Sequence, residues 1–274
     1  MSTIEAAAAT LPAQAQANGG QLLFVIPAFN EEDNLPTLFA DLAGVAGLLD
    51  ARSRIFIVDD GSTDATPAVV RGYEGPLPIE LVRLEQNQGP GAAFRHGFES
   101  ALACAEPGAL VVTLESDATS DLGALRSMLD EVERGADVVL ADWRMTGVAF
   151  HRRLLSAAAG WVVRHGLGLQ ATTVSSFFRV YRAATLEAAT RRFGDHLIRE
   201  RGFACKAELL GKLSTIGARI VEVPVPLDWS RRSGESKMPV VRTMLCYWRM
   251  LFRQRVGYQR EGYDEPAPEG ALSA

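Results

Sequence analysis

The chain is poor in the residues that build metal clusters and disulfides. Its three cysteines, Cys104, Cys205 and Cys246, lie far apart with no C-x-x-C pair, and its four histidines are isolated. That spacing argues against a disulfide framework, a zinc knuckle and a histidine-ligated metal, and it fits a reducing cytosol. Residues 1–20 carry neither a basic n-region nor an apolar h-region, so they read as a flexible tail and not as a signal peptide. Near the basic half, the apolar run "LLSAAAGWVV" covers only about half a bilayer span, so no transmembrane helix is expected. A net charge of -5 gives no global pull toward nucleic acid.

What remains is a soluble-type composition, 47% hydrophobic and 22% charged, in 274 residues that suffice for one large α/β core. The charge is unevenly placed. Eleven Lys or Arg stand against three acids from Arg144 to Lys206, and seven against one from Trp229 to Arg255, so the C-terminal half is basic and the N-terminal half acidic. Apolar runs at "QLLFVIPAFN", "RIFIVDDGS", "IELVRLEQN", "ALVVTLESD" and "ADVVLADWR" have the character of buried parallel strands. Helical periods separate them, as at Leu35, Leu38, Phe39, Leu42 and Val45. The alternation predicts a doubly wound, mostly parallel, Rossmann-like α/β sheet with ligands at the strands' carboxyl ends. "RIVEVPVPLDW" carries prolines that suit an edge strand. Thr63 or Asp64 is a plausible cap for one helix and Asp121 for another.

Three of the first four strands end in polar groups: Asn30 and Glu31, then Asp59 and Asp60, then Glu115 and Asp117. Parallel strands deliver these groups to one rim. At "VDDGSTDAT" a carboxylate could bind base and ribose donors, or the segment is an ordinary βα turn with Gly61 at its tip. "NQGPGAAFRHG" offers glycines at a helix start, where a phosphate or nucleoside could approach the backbone. "TLESDATSDL" is either a solvated loop or a site for a hard divalent cation that bridges to a diphosphate.

Taken in order, "VIPAFNEEDNL", "IFIVDDGSTDAT", "NQGPGAAFRHGF", the E-S-D element, "SSFFRVYR", "GFACKAELLGKLSTIGARIVEVPVPL" and "RRSGESKM" resemble the family 2 (GT-A fold) glycosyltransferases. The later motifs resemble the branch containing dolichol-phosphate mannose synthase and related polyprenyl-phosphate glycosyltransferases. The resemblance spans roughly residues 20 to 255 and implies a nucleotide-sugar donor, a polyprenyl-phosphate acceptor and Mg²⁺ or Mn²⁺. It implies nucleotide-sugar contacts from Pro27, Phe29, Glu31, Asp59, Asp60, Asn87, Gly89, Ser116 and Arg144. Glu115, Asp117 and Thr119 would stand at the metal. Arg152, Arg153, Arg232 and Ser236 would grip the acceptor phosphate, and Asp117, Arg179 and Lys237 would serve catalysis.

The pattern is departed from in three places. Glu115 replaces the first Asp of the D-x-D element, Thr173 replaces an acid, and Phe177 replaces a glycine. A further departure concerns the acceptor. Relatives that glycosylate hydroxyls carry an E-D pair as general base, whereas "RGFACKAELL" has Glu208 with no adjacent Asp; Asp195 is the fallback base. A hydroxyl needs a base and an ionised phosphate does not, so the expected reaction is inverting transfer to polyprenyl phosphate. The alternatives are a hydroxyl acceptor or a non-catalytic nucleotide-sugar-binding protein. The expected organisation is a GT-A domain over 21–228, a basic loop and amphipathic helix over 229–258, and a disordered tail over 259–274. The amphipathic helices at "HRRLLSAAAGWVVRH" and "RTMLCYWRMLFRQR" would either lie on a membrane surface or pack internally. The expected location is cytoplasmic, with peripheral attachment to the inner face of the membrane.

Overall fold

The computed structural model describes residues 20–144 and 176–226. The two amphipathic segments, both terminal tails, Arg152, Arg153, Thr173, Arg232, Ser236 and Lys237 lie outside the described residues.

Seven strands form one sheet in the order β3-β2-β1-β4-β6-β5-β7. They are β1 (Leu22–Ala28), β2 (Arg54–Asp59), β3 (Ile79–Arg83), β4 (Leu110–Thr113), β5 (Val138–Arg144), β6 (Arg179–Arg182) and β7 (Ile220–Pro226). The pairs β1–β2, β1–β4, β2–β3 and β5–β7 are parallel, while β6 runs antiparallel between β4 and β5. The sheet is therefore mostly parallel, with one reversed strand. That reversal has a consequence for the rim. The carboxyl ends of β1, β2, β4 and β5 and the first residue of β6 all emerge on the same side.

Alternation along β1 explains why helices cover both faces. Leu23 and Val25 join a core with residues of α3 (Pro90–Ala103), α5 (Ala183–Phe193) and α6 (Cys205–Thr215). Leu22, Phe24 and Ile26 point the other way, into a core with α1 (Leu35–Gly44), α2 (Thr66–Arg71) and α4 (Leu125–Glu133). Each fully buried Leu, Ile or Phe here contributes on the order of 1.5–3 kcal/mol. β7 lies at the sheet's end, where Pro224 and Pro226 lack N–H groups to donate, as the prolines led one to expect.

The caps bear out the sequence in part. Asp121 Oδ1 accepts from the Gly123 N–H and so caps the 3₁₀ turn ahead of α4. At α2 the N-cap is Ala65, with no side-chain cap bond, in place of the expected Thr63 or Asp64; Asp64 accepts from the Thr66 N–H at 2.9 Å.

Candidate active site

The loops after β1 and β2 are laced together by Asn30, Glu31, Glu32, Ser62 and Thr66. Asn30 adopts a left-handed backbone (φ 53°), which its side chain supports by accepting from the Thr63 N–H. The Asn30 and Glu31 N–H groups donate to Ser62 Oγ and Thr66 Oγ1, and Glu32 Oε2 accepts from the Ala65 N–H. Glu31 is buried and its Oε2 accepts from Asn34 Nδ2 at 2.6 Å. Asp59 is fully buried; its Oδ1 accepts from the Ser62 N–H, and its Oδ2 lies 3.2 Å from Arg83 Nε. Gly61 makes the turn, with φ +71° and no room for a Cβ against the Gln86 backbone. Pro27 and Phe29 sit half-buried at the exit of β1.

At the start of α3 the close backbone approach read from the glycines is real, but the approaching group belongs to the protein itself. The Gly91 N–H donates to the Arg201 carbonyl at 2.9 Å. A Cβ at Gly91 would come within 1.9 Å of the Glu200 carbonyl, and one at Gly89 (φ +91°) within 2.4 Å of the Arg201 carbonyl. The Gln88 and Gly89 N–H groups both donate to the Asp60 carboxylate at 2.8 Å. Asp60 thus holds the donors that a phosphate would take. Burial pushes its carboxyl above the usual range, aided by neighbouring Asp59, while the two N–H bonds oppose the shift. Asn87 is exposed beside this junction.

Beyond β4 the chain makes a tight turn through Ser116, Asp117 and Ala118. Ala118 is buried with φ 55°, and with Asn30 it is one of two non-glycine residues of positive φ among the described residues. A left-handed alanine costs about 1–2 kcal/mol, so bonds around it must hold it. Glu115 supplies two: Oε1 accepts from the Phe177 N–H at 2.7 Å and Oε2 from Ser120 Oγ at 2.6 Å. Asp117 Oδ1 accepts from Thr119 Oγ1 at 2.6 Å. Ser116 and Thr119 are buried, and Asp117 is half-buried. Burial raises the Glu115 carboxyl above its usual range, as does nearby Asp117; Ser120, the Phe177 N–H and Lys206 draw it back.

This turn fits a hard divalent cation in a restricted sense. Among the described residues no three His, Cys, Asp or Glu groups converge as a protein-only cage. Both Glu115 oxygens are engaged, one by the Phe177 N–H and one by Ser120, and Asp117 Oδ1 is engaged by Thr119. Mg²⁺ commonly binds with one or two carboxylates and completes its shell with water and substrate phosphate. Thr119 orients Asp117 through its hydroxyl.

Under the turn lies a group of buried charges, of which Arg179 was expected to serve catalysis and Lys206 was not singled out. Arg179, opposite Thr113 in the β4–β6 register, is 1% exposed; its Nη1 donates to the Lys206 carbonyl at 3.0 Å and reaches Tyr181 Oη at 3.4 Å. Its side chain is turned into the interior beneath the rim. Lys206, in the first turn of α6, is also buried, with Nζ 3.8 Å from the Phe177 ring centroid and 5.4 Å from that of Phe203. Burial pulls its ammonium down to about 8, against the attraction of Glu115 and Asp117. Next to it the buried Cys205 thiol is pushed up to about 12 by desolvation. Alkylation of the native protein at pH 8 is therefore expected to modify exposed Cys104 and spare Cys205, read by peptide mass spectrometry. Labelling of native Cys205 at the rate of an exposed thiol would contradict that burial.

Further along α6, Glu208 and Lys212 form a buried ion pair at 2.7 Å. Glu208 Oε2 accepts from the Arg199 and Glu200 N–H groups, and Lys212 donates to the carbonyls of His196 and Leu197. The pair therefore clamps the loop whose Arg201 carbonyl closes the start of α3. Asp195, the fallback base, is exposed. Arg144 closes β5 at the common rim, opposite Pro226 in the register.

Comparison with known proteins now adds to the geometry. The family model described as glycosyl transferase family 2 matches residues 23–188. An undecaprenyl-phosphate mannosyltransferase of Micrococcus luteus is 30% identical over 226 residues, covering 80% of this chain and 87% of that protein. A dodecaprenyl-phosphate galacturonate synthase of Rhizobium johnstonii is 30% identical over 171 residues; the match takes in 61% of this chain and about half, 49%, of the length of that relative. Among solved structures, glucosyl-3-phosphoglycerate synthase from Mycobacterium tuberculosis, in complex with Mn²⁺, uridine diphosphate and glucosyl-3-phosphoglycerate, superposes with a TM-score of 0.61. The two share 18% identity over 86% of this chain and 80% of that one, which speaks for a common GT-A-like fold.

Proposed function

Because this chain belongs to glycosyl transferase family 2, we propose that it transfers a sugar from a nucleotide-sugar to a polyprenyl phosphate. The relatives named above include one undecaprenyl-phosphate and one dodecaprenyl-phosphate enzyme, which supports a lipid-phosphate acceptor but two different sugars. The observation that carries the acceptor assignment is the state of Glu208. It is the one acid in the "FACKAELL" segment, and it is engaged by Lys212 and by two backbone N–H groups. A carboxylate held in that way is badly placed to take a proton from a hydroxyl. An acceptor phosphate is already ionised near neutral pH and needs no such base.

In the proposed reaction an acceptor phosphate oxygen attacks the anomeric carbon. The bond from that carbon to the nucleoside diphosphate breaks in the same displacement, and configuration inverts. Asp117 is the residue that would hold Mg²⁺ or Mn²⁺, with Glu115 bracing the turn. A bound cation would supply neutralisation of the charge that grows on the departing diphosphate. Arg144 at the rim, together with Arg152, Arg153, Arg232, Ser236 and Lys237, would grip the phosphates of donor and acceptor. Pro27, Phe29 and the laced β1 and β2 loops would form the nucleoside side of the cleft.

Two measurements test this reading. A thermal-shift screen of nucleoside diphosphates is expected to give a stabilising shift for one base that grows when Mn²⁺ is added. Equal shifts with and without Mn²⁺ would remove the cation from the proposal. Transfer to polyprenyl phosphate in detergent or vesicles, with flotation of the enzyme on anionic vesicles, tests acceptor and attachment together. No helix among the described residues is long and apolar enough to cross a membrane. Transfer to soluble hydroxyl acceptors alone would establish the rival reading.

A further inference from the structure

We propose that Lys206 is a positioning residue of the transfer site, holding the entry of β6 against the Glu115–Ser120 turn so that Asp117 is presented in one arrangement. The inference rests on the function proposed above only for its effect on turnover; the geometry stands by itself.

Lys206 holds the entry of β6 at two points, Arg179 and Phe177. Its carbonyl accepts from Arg179 Nη1 at 3.0 Å, and its ammonium sits 3.8 Å from the Phe177 ring centroid. Phe177 is the residue whose N–H donates to Glu115 Oε1 and whose carbonyl accepts from Thr113 Oγ1. The ring is further held by Phe94 at 5.0 Å and Phe203 at 5.9 Å between centroids. A cation over an aromatic face is attracted by the negative face of the ring, and more strongly when it is buried. Lys206 also sets its charge against Glu115, the carboxylate that joins Phe177 to Ser120.

Remove the ammonium and two supports fail together. Phe177 loses the charge on its face, and Glu115 loses the attraction of the Lys206 ammonium. The turn can relieve that cost by protonating Glu115 or by opening toward water, and opening releases the Phe177 N–H and lets left-handed Ala118 relax. Asp117 lies between those two anchors. A buried ammonium is also expensive in itself, so removing it need not weaken the fold as a whole. That combination separates a positioning role from an ordinary structural one.

The test compares Lys206→Met, Lys206→Gln, Glu115→Gln and the double variant Lys206→Met/Glu115→Gln. Hydrogen exchange at the Phe177 amide is expected to quicken at least tenfold in Lys206→Met, with a Tm within about 4 °C of wild type. Transfer is expected to fall at least tenfold in kcat with little change in donor KM. The double variant should be no slower than the worse single variant, because both changes release one brace. Lys206→Gln, which keeps a polar group in place, serves if Lys206→Met does not fold. Unchanged Phe177 exchange, or losses that multiply in the double variant, would overturn the proposal. Should the wild-type protein transfer nothing to polyprenyl phosphate, the functional reading fails, while the exchange result still decides the role of Lys206.

Discussion

Asp117→Ala is expected to lower transfer by about a thousandfold, the scale of losing one electrostatic stabiliser of a developing anion. The expectation follows from how the two acids of the turn are used. Glu115 has both oxygens bound within the protein, one by Phe177 and one by Ser120, so its charge braces the turn. Asp117 stands one residue before the left-handed Ala118, half-buried, with Oδ1 oriented by Thr119. Asp117→Asn is the sharper variant. An amide oxygen can still accept from the Thr119 hydroxyl, so the turn should hold, yet the charge that favours a divalent cation is gone. Both variants should melt near the wild-type temperature and lose the Mn²⁺-dependent part of nucleoside diphosphate binding. Turnover within tenfold of wild type for Asp117→Asn would remove the acid from the proposed chemistry.

Most of the architecture was legible from period and punctuation. Continuous apolar runs ending in Asp59, Asp60, Glu115 and Asp117 marked strands buried on both faces and the rim they share. The prolines of β7 marked an edge, and Asp121 marked a cap. The direction of β6 was not legible, because "FFRVYR" has the same local pattern whichever way the strand enters the sheet. Partners distant in sequence were not legible either. Gly89 and Gly91 were read as room for a ligand, and the group that fills the room is the chain's own Glu200–Arg201 segment. The burial of α6 was not legible either, for a physical reason. Its Lys206, Glu208 and Lys212 resemble a solvated helix face with an i,i+4 pair, yet every residue from Cys205 to Leu213 is buried. A helix enclosed on all sides leaves no contrast between faces to read.

That enclosed helix gives the largest stability effect to be expected. Lys212→Met should lower the unfolding free energy by about 3–5 kcal/mol, the usual cost of leaving a buried charge without its partner. Lys212 and Glu208 are 1% and 2% exposed, so water cannot replace the lost contact. The His196 and Leu197 carbonyls lose their donor at the same time. Chemical denaturation should show a lower midpoint at an unchanged m-value; a loss under 1 kcal/mol would mean that the ion pair adds nothing to the fold. Adding Glu208→Gln should restore part of the loss. The amide oxygen still accepts from the Arg199 and Glu200 N–H groups, while the unpaired buried charge is removed. The same substitution decides a chemical question. If Glu208 were a general base, Glu208→Gln would abolish transfer even in protein that is fully folded. If its part is to hold the loop that closes α3, the folded fraction of Glu208→Gln should transfer to a phosphate acceptor at a rate within a few-fold of wild type.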